Sequence, residues 1–506
     1  MKSLLILSLY LFVVGRLFAE TPNILLIYAD DLGYGDVACY NPESNIPTPH
    51  IDRLASEGMR FTDAHSAATV CTPSRYSLLT GRMAFRTGLK GVFVSPDGPC
   101  LIEEDRLTLP EILKEKGYAT ALFGKWHLGM TFLDKQGDPV ETRRVPGVQM
   151  IDFSRPSPDG PVDRGFDTFF GTSACPTTDH LYAYIENDRV PVPPNRLFVR
   201  EESDLPDHPF AHDCRDGMIA PNFDHETVDL VFLEKSVDYL EKHVAVHPDK
   251  PFFLMHSMQA VHLPSFPADS FKGKTASGPH GDFIFEMDYI VGELLQTLER
   301  LGLEKNTLVI FASDNGPERS TSVLMREQFG HDPARPWRGL KRDQWEGGHR
   351  TPLIVRWPGK VATGSVSDQL LSQTDIMATI AALVGEELPD DTAEDSVNML
   401  PVLLGEQGDE PVRTYMLQQA INLNLSIRKG DWKYLDHQGS GGNDYIQKAY
   451  LTPYILEELA PDAPGQLYNL AQDPGERRNL YNKHPEMVEH LKAKLEELKA
   501  NGRGVH

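Results

Sequence analysis

Three short polar clusters in this chain each follow an apolar run, and their side chains suit binding of hard cations and anions. The run Asn23 to Ala29 ends in Asp30-Asp31-Leu32-Gly33-Tyr34-Gly35-Asp36. Tyr118 to Phe123 leads into Gly124-Lys125-Trp126-His127, and Thr307 to Ala312 into Ser313-Asp314-Asn315-Gly316. Asp30, Asp31, Asp314 and Asn315 are all oxygen donors. Such a set suits Ca²⁺, or alternatively Mg²⁺, and offers no thiolate or imidazole to hold zinc. Neighbouring residues of a strand point to opposite faces, so a turn at Gly33 is expected to bring both Asp30 and Asp31 to one ion. Lys125 is a compact cation suited to an anion's oxygens, and His127 can move protons near neutral pH. Taken singly each cluster is ordinary, because turn carboxylates cap amides and lone lysines line surfaces. Three at the ends of apolar runs point to one shared site.

The stretch Cys71-Thr72-Pro73-Ser74-Arg75-Tyr76-Ser77-Leu78-Leu79-Thr80-Gly81-Arg82 carries the most information. Thr72 is expected to cap a helix with Pro73 in its first turn, placing Cys71 at the positive amino-terminal end. Arg75, one turn on, would face the same spot. By geometry alone a small buried cysteine before an ordinary helix explains the stretch equally well.

The twelve residues resemble the signature of the formylglycine-dependent sulfatases, C-x-P-S-R followed by L-x-T-G-R, at every constrained position. The resemblance runs from Pro22 to Leu467-Tyr468-Asn469-Leu470 and Asp473-Pro474-Gly475-Glu476. It implies an alkaline phosphatase-like fold, and oxidation of Cys71 by a maturation enzyme to formylglycine, which is hydrated at work. It also implies one divalent cation held by Asp30, Asp31, Asp314, Asn315 and oxidised residue 71. Gly124 to Gly129 resembles the family's second motif. Ala260-Val261-His262-Leu263-Pro264 resembles a third, with Val261 where proline is common, and Arg338-Gly339-Leu340-Lys341 a fourth, continuing through Glu346 to Pro352. His256, His331 and His349 match no family catalytic position and are read as structural.

Chemistry follows from the resemblance. One hydroxyl of the hydrated aldehyde attacks sulfur and forms a covalent sulfated enzyme; the other re-forms the carbonyl and expels sulfate, so water need not attack. Arg75 and Lys125 hold the hydrate and the sulfate, His127 takes the proton when the aldehyde returns, and His262 and Lys341 serve the leaving group. The rival within the superfamily is a phosphodiester or phosphonate hydrolase. Those relatives commonly read S-D-H-G where this chain has Ser313-Asp314-Asn315-Gly316, which favours sulfate. A rival of another class, a calcium-binding recognition protein without catalysis, needs a broken nucleophile or pocket, and neither is broken. The substrate expected is a sulfated carbohydrate or an aryl sulfate, with Thr177 to Tyr182 and the C-terminal region lining the alcohol side.

The elements that must position these groups read as an α/β fold. Apolar runs at 252–255 and 353–355 join the three above as strand candidates. Helices are expected at 49–57, 108–116, 284–301 and 375–384, so a large, mostly parallel sheet flanked by helices is the architecture. In such sheets ligands gather beyond the strands' carboxyl ends. Short strands near 414–418, 425–428 and 432–435, with an amphipathic helix at 487–499, suggest a smaller α+β domain at the C-terminus. The expected division is 1–19, 20–400 and 401–506. Residues 131–225 have no clear periodicity.

Lys2 and the apolar run Leu4 to Val14, followed by Phe18-Ala19-Glu20, read as a secretory signal at 1–19. The run is short for a transmembrane helix, so a periplasmic or secreted protein without stable membrane insertion is expected. With 49 Lys+Arg against 73 Asp+Glu, the net charge is −24, which argues against nucleic acid as a partner. A local basic pocket for a polyanionic substrate remains compatible with that balance. Five cysteines leave one without a partner even if all others pair.

Overall fold

The computed structural model describes residues 21–89, 97–408 and 410–504. The expected signal at 1–19 lies outside them. Five parallel strands form the centre of a nine-stranded sheet, in the spatial order Thr307–Ser313, Asn23–Ala29, Phe252–Ser257, Ala119–Lys125 and Thr168–Thr172. Leu353–Arg356 and Met59–Phe61 extend one side, each antiparallel to its inner neighbour, and Ser365–Ser367 ends that edge. Ile185–Glu186 ends the other. Every residue of Asn23–Ala29, Phe252–Ser257 and Thr307–Ser313 is buried, which is why these segments read as unbroken apolar runs. One set of helices (Pro49–Glu57, Val228–Val246, Gly278–Arg300) and a second (Cys71–Thr80, Leu109–Glu115, Asp375–Leu383) pack around it.

Local signals explain most helix ends. Thr108 caps Leu109–Glu115 through a box with Glu111, the Thr108 amide donating to Glu111 Oε2 at 2.8 Å. Gly117, at φ +87°, ends that segment. The helix expected from 284 begins earlier, at Gly278. Its first turns are held by polar contacts that apolar periodicity cannot register: Ser265 Oγ lies 2.8 Å from His280 Nδ1, and Asp282 accepts from the Thr275 amide at 2.7 Å.

A separate small domain follows at the C-terminus. Met416–Gln419, Leu425–Lys429, Trp432–Leu435 and Gln466–Asn469 form an antiparallel sheet, the last strand arriving after a long excursion that hid it from the sequence pattern. Helix Pro485–Ala500 covers the sheet, with Val488, Leu491, Leu495 and Leu498 buried against Leu417, Leu425, Ile427, Tyr434 and Leu467. All five cysteines are free thiols.

A buried charge network joins the two parts. Arg428 donates to both oxygens of Asp63 at 2.7 Å, and Lys433 Nζ sits 2.9 Å from both Glu346 and Glu476. His65 and His349 face one another across 2.9 Å beside Glu346. Arg350, Arg428 and Lys433 already supply positive charge there, so this imidazole–carboxylate group is an ion-pair node and not a place for a further cation. Burial opposes ionisation of Glu346, yet Lys433, His65 and Arg428 hold its carboxyl well below the usual range. Burial pushes Glu476 up to about 7 in spite of Lys433. We predict that Lys433→Met, which leaves two facing buried carboxylates, lowers stability by about 3–5 kcal/mol. Urea unfolding followed by fluorescence measures this, and an unchanged midpoint would remove the network from the account of domain docking.

Candidate active site

The carboxyl ends of all five central strands meet at one place. Asp30 and Asp31 follow Asn23–Ala29; Lys125 ends Ala119–Lys125, with His127 just beyond; Asp314 and Asn315 follow Thr307–Ser313. Ser257 ends Phe252–Ser257 and the loop to His262 follows, while Cys175 lies past Thr168–Thr172. The turn that gathers the two aspartates is not at Gly33. Asp31 itself adopts left-handed backbone (φ +61°), and His127 does the same (φ +58°). Such conformations are costly for non-glycine residues and cluster at functional sites. Gly33 answers a different need, since a Cβ there would stand 2.1 Å from the Pro333 carbonyl oxygen.

Cys71 is the first residue of helix Cys71–Thr80, not the residue before it, and the cap position belongs to Val70, whose backbone is extended. Pro73 is tolerated because the first-turn amides have no intrahelical acceptor anyway. Thr72 is therefore inside the helix, where its hydroxyl donates to the His127 carbonyl at 3.2 Å and ties this helix to the strand end. Every residue of this helix is buried, Cys71 completely.

Arg75 reaches across from the next turn. Its Nη2 donates to Asp314 Oδ2 at 2.9 Å and to Asp30 Oδ2 at 3.3 Å, and Nη1 donates to Ser257 Oγ at 2.7 Å. Lys125 Nζ pairs with Asp30 Oδ2, and Lys341 Nζ with Asp31 Oδ1 at 2.6 Å. His262 Nε2 stands 3.8 Å from Asp31 Oδ2 and is the most exposed of the set, its side chain 13% accessible.

Burial and neighbouring charge pull these groups apart. Burial opposes ionisation of Asp30, but Lys125, His262 and Arg75 hold it far below the usual carboxylate range. Burial pushes Asp31 up to about 6 and, with repulsion from Asp30, Asp314 up to about 8. Burial resists a thiolate at Cys71, yet His127, Lys125 and Lys341 draw the thiol down to about 5. Burial, then Lys341, lowers His262 to about 4. The site stabilises negative charge at residue 71, and its three carboxylates, matched in number by Arg75, Lys125 and Lys341, are not met at every oxygen.

The oxygens left over show what would meet them. Asp30 Oδ1, Asp31 Oδ2 and Asn315 Oδ1 are buried without a hydrogen-bond partner. Each such atom costs about 1–3 kcal/mol if nothing meets it. Asn315 is turned so that its amide nitrogen donates to Asp31 Oδ1 at 2.7 Å, which leaves the oxygen free. Ligand atoms of Asp30, Cys71 and Asp314 lie within 4.8 Å of one another, as do those of Asp30, Asp31 and His262. The donor set fits one hard divalent cation.

Every site residue expected from sequence thus comes to this cluster, while His256, His331 and His349 do not. His256 meets Ser236 at 2.9 Å, His331 meets Asp36 at 2.8 Å, and His349 belongs to the interdomain network. Sequence reasoning missed Ser257, although it ends a strand the pattern had located. It also missed Asp229, whose carboxylate accepts from the Gln259 and Ala260 amides at 2.8 and 2.9 Å and so fixes the loop bearing His262. Asp229 opens a helix far away in sequence and carries no local signal. On the fifth strand end, Cys175 Sγ lies 3.8 Å from His127 Nδ1, and Thr177 pairs with Gln259.

Comparison with known proteins agrees with this geometry. The sulfatase family profile matches residues 22–386. The chain is 35% identical to N-acetylgalactosamine-6-O-sulfatase of Bacteroides thetaiotaomicron, over 95% of this chain and 94% of that protein. It is 34% identical to arylsulfatase A of Homo sapiens, over 96% and 89%. A solved structure described under the metabolism of multiple glycosaminoglycans by Bacteroides thetaiotaomicron superposes with a TM-score of 0.78 at 33% identity, covering 95% of this chain and all of that one. A parallel sheet whose strand ends gather this anion- and cation-binding set, over this span of similarity, places the chain in the sulfatase family of the alkaline phosphatase superfamily, a sulfuric ester hydrolase.

Proposed function

We propose that the protein is an exported sulfatase that removes sulfate monoesters from sulfated glycans or their oligosaccharides, using formylglycine at position 71 and one Ca²⁺. The observation that carries the reading is residue 71: fully buried on the first turn of a helix, beside Arg75, His127, Lys125 and Lys341, next to three partnerless oxygens. The glycan substrate is supported by the relatives named for N-acetylgalactosamine 6-sulfate esters. Export rests on the charged, apolar 1–19 segment. No helix among the described residues is long and apolar enough to cross a membrane.

Formylglycine at residue 71, once hydrated, would supply two hydroxyls on one carbon, one able to take the sulfuryl group as the alcohol leaves and the other able to re-form the carbonyl as sulfate departs. Asp30, Asp31, Asp314 and Asn315 would hold a divalent cation, which would supply Lewis-acid charge there. The chain's own residues do the remainder. Arg75, fixed by Asp314 and Ser257, and Lys125, fixed by Asp30, present preset positive charge on buried side chains, so little reorganisation is needed as charge develops. His127, anchored through the Thr72 contact to its carbonyl, is placed beside residue 71 to take the proton when the carbonyl re-forms. His262 and Lys341 sit together at Asp31, on the side where His262 is open to solvent, and serve the departing alcohol.

Expressed in a host with the maturation machinery, the enzyme should yield a tryptic Phe61 to Arg75 peptide that escapes thiol alkylation and reacts with a hydrazide. A fully alkylating peptide from active enzyme would sink the nucleophile assignment. Asp314→Ala should lower kcat by about 100-fold or more, and bound metal measured by mass spectrometry should fall from one ion per chain toward none. Wild-type turnover with no metal bound would end the single-ion reading. For matched aryl esters, kcat/KM should be higher for sulfate than for phosphate monoester or diester, since Asn315 adds no charge at the metal. Lys341→Ala should slow poor leaving groups more than activated ones, and equal losses across the series would take leaving-group assistance away from Lys341.

A further inference from the structure

The loop that delivers Lys341 to Asp31 has a second face. Gly339 and Leu340 line a cavity of about 560 Å³ whose walls also carry Arg326, Arg335, Arg338 and Arg477. Asp332 is the single carboxylate among its lining residues. Such a concentration of guanidinium stands out in a chain of net charge −24. Asp332 is taken by Arg326 at 2.8 Å, and Arg335 meets both oxygens of Glu43, at 2.5 and 2.8 Å, in a solvent-exposed two-pronged pair. Arg338 and Arg477 have no carboxylate partner among the described residues. Arg338 donates to the Glu476 carbonyl at 2.6 Å and stacks on Trp345, its Cζ 3.4 Å from the ring centroid. Arg477 is exposed, and its guanidinium meets no acceptor among the described residues.

Arg338 and Arg477, with no carboxylate of their own among the described residues, favour an anion beside them. The walls indicate what bears it. Trp337, Trp345, Tyr445 and Tyr454 also line this space, with Arg338 stacked on Trp345, Arg350 on Trp337 and Arg326 over Tyr454. A second cavity of about 570 Å³ shares Arg338, Trp345, Tyr445 and Tyr454 with the first and continues from it. Its lining mixes apolar residues with amides and glycines, among them Asn422, Asn424, Gln438 and Gln466, of which Asn424, Gln438 and Gln466 donate to backbone carbonyls of the same region. Its carboxylates are already used: Asp444 accepts from the Ile446 and Gln447 amides, and Glu458 from the Ala460 amide and the Asn479 side chain. Cationic, aromatic and amide walls in one continuous groove match a chain of sugars with anionic substituents. They do not match an apolar peptide, which wants no guanidinium, nor a bare phosphate, which wants no rings.

We propose that this groove is a saccharide-binding subsite that holds an anionic stretch, sulfated or carboxylated, of an oligosaccharide. It rests on the glycan reading above and deepens it, because the groove is built on the catalytic-lysine loop and on the C-terminal domain together. A chain seated there spans the joint between the domains and is held apart from the ester being cleaved.

Titration calorimetry on the mature enzyme tests it with three probes: unsulfated chondroitin hexasaccharide, which carries carboxylates and no ester, its sulfated counterpart, and neutral chitohexaose. Wild-type protein should bind both anionic chains and the neutral one at least about tenfold more weakly. The double variant Arg335→Ala/Arg477→Ala changes two exposed side chains outside the catalytic cluster. It should weaken binding of the unsulfated anionic chain about tenfold or more, with kcat/KM for an aryl sulfate and the unfolding midpoint unchanged. Equal affinity of wild type and variant for that chain, or equal affinity for anionic and neutral chains, overturns the proposal. If no saccharide is desulfated yet the variant still loses affinity, the groove stands and the substrate assignment falls. If saccharides are desulfated and the variant binds as wild type does, the groove falls and the substrate assignment stands.

Discussion

The structure depends on a constraint set by dry charge. Asp30, Asp31 and Asp314 are buried almost completely, and so are Arg75, Lys125 and Lys341. No solvent stabilises them, so each must meet its counter-charge in protein at hydrogen-bond distance. The partners come from different strands and helices: Arg75 from helix Cys71–Thr80 spans Asp30 and Asp314, Lys125 meets Asp30, and Lys341 meets Asp31. If one element shifts, a charge is stranded. That requirement fixes where the strand ends, the helix start and the lysine loop lie relative to one another.

The same constraint presets the charges of the cluster. Buried dipoles and charges act strongly and need little rearrangement as charge develops. The cluster carries three carboxylates, and the partnerless oxygens of Asp30, Asp31 and Asn315 mark where positive charge is still wanted. Residue 71 lies against that position at a helix start, with His127 and two lysines pulling it toward the anionic form. The backbone concedes conformational cost at Asp31 and His127, two residues whose side chains must point into the cluster.

Around this fixed centre the C-terminal domain is attached by charge as well as by packing. Asp63, Glu346 and Glu476 are neutralised by Arg350, Arg428 and Lys433 at the joint, close in sequence to the loop bearing Lys341. The joint therefore positions one side of the buried charge cluster, and the groove beside it inherits walls from both domains.

Sequence by itself determined the family and the architecture. The unbroken runs 23–29 and 307–312 dictate strands buried on both faces, and polar residues directly beyond them dictate a site at their ends. Cys71 with Arg75, and the motifs at Lys125, His262 and Lys341, name the side chains that gather there. What sequence could not decide was how they are held, because that depends on contacts between residues far apart in the chain. The turn at Asp31, the helix beginning at Cys71 and not after Thr72, Asp229 gripping the loop of His262, and Ser257 beneath Arg75 each follow from one backbone meeting another. Local propensity sees a few residues at a time. Closing a dry pocket against charge requires all five strand ends at once, and only the folded chain brings them together.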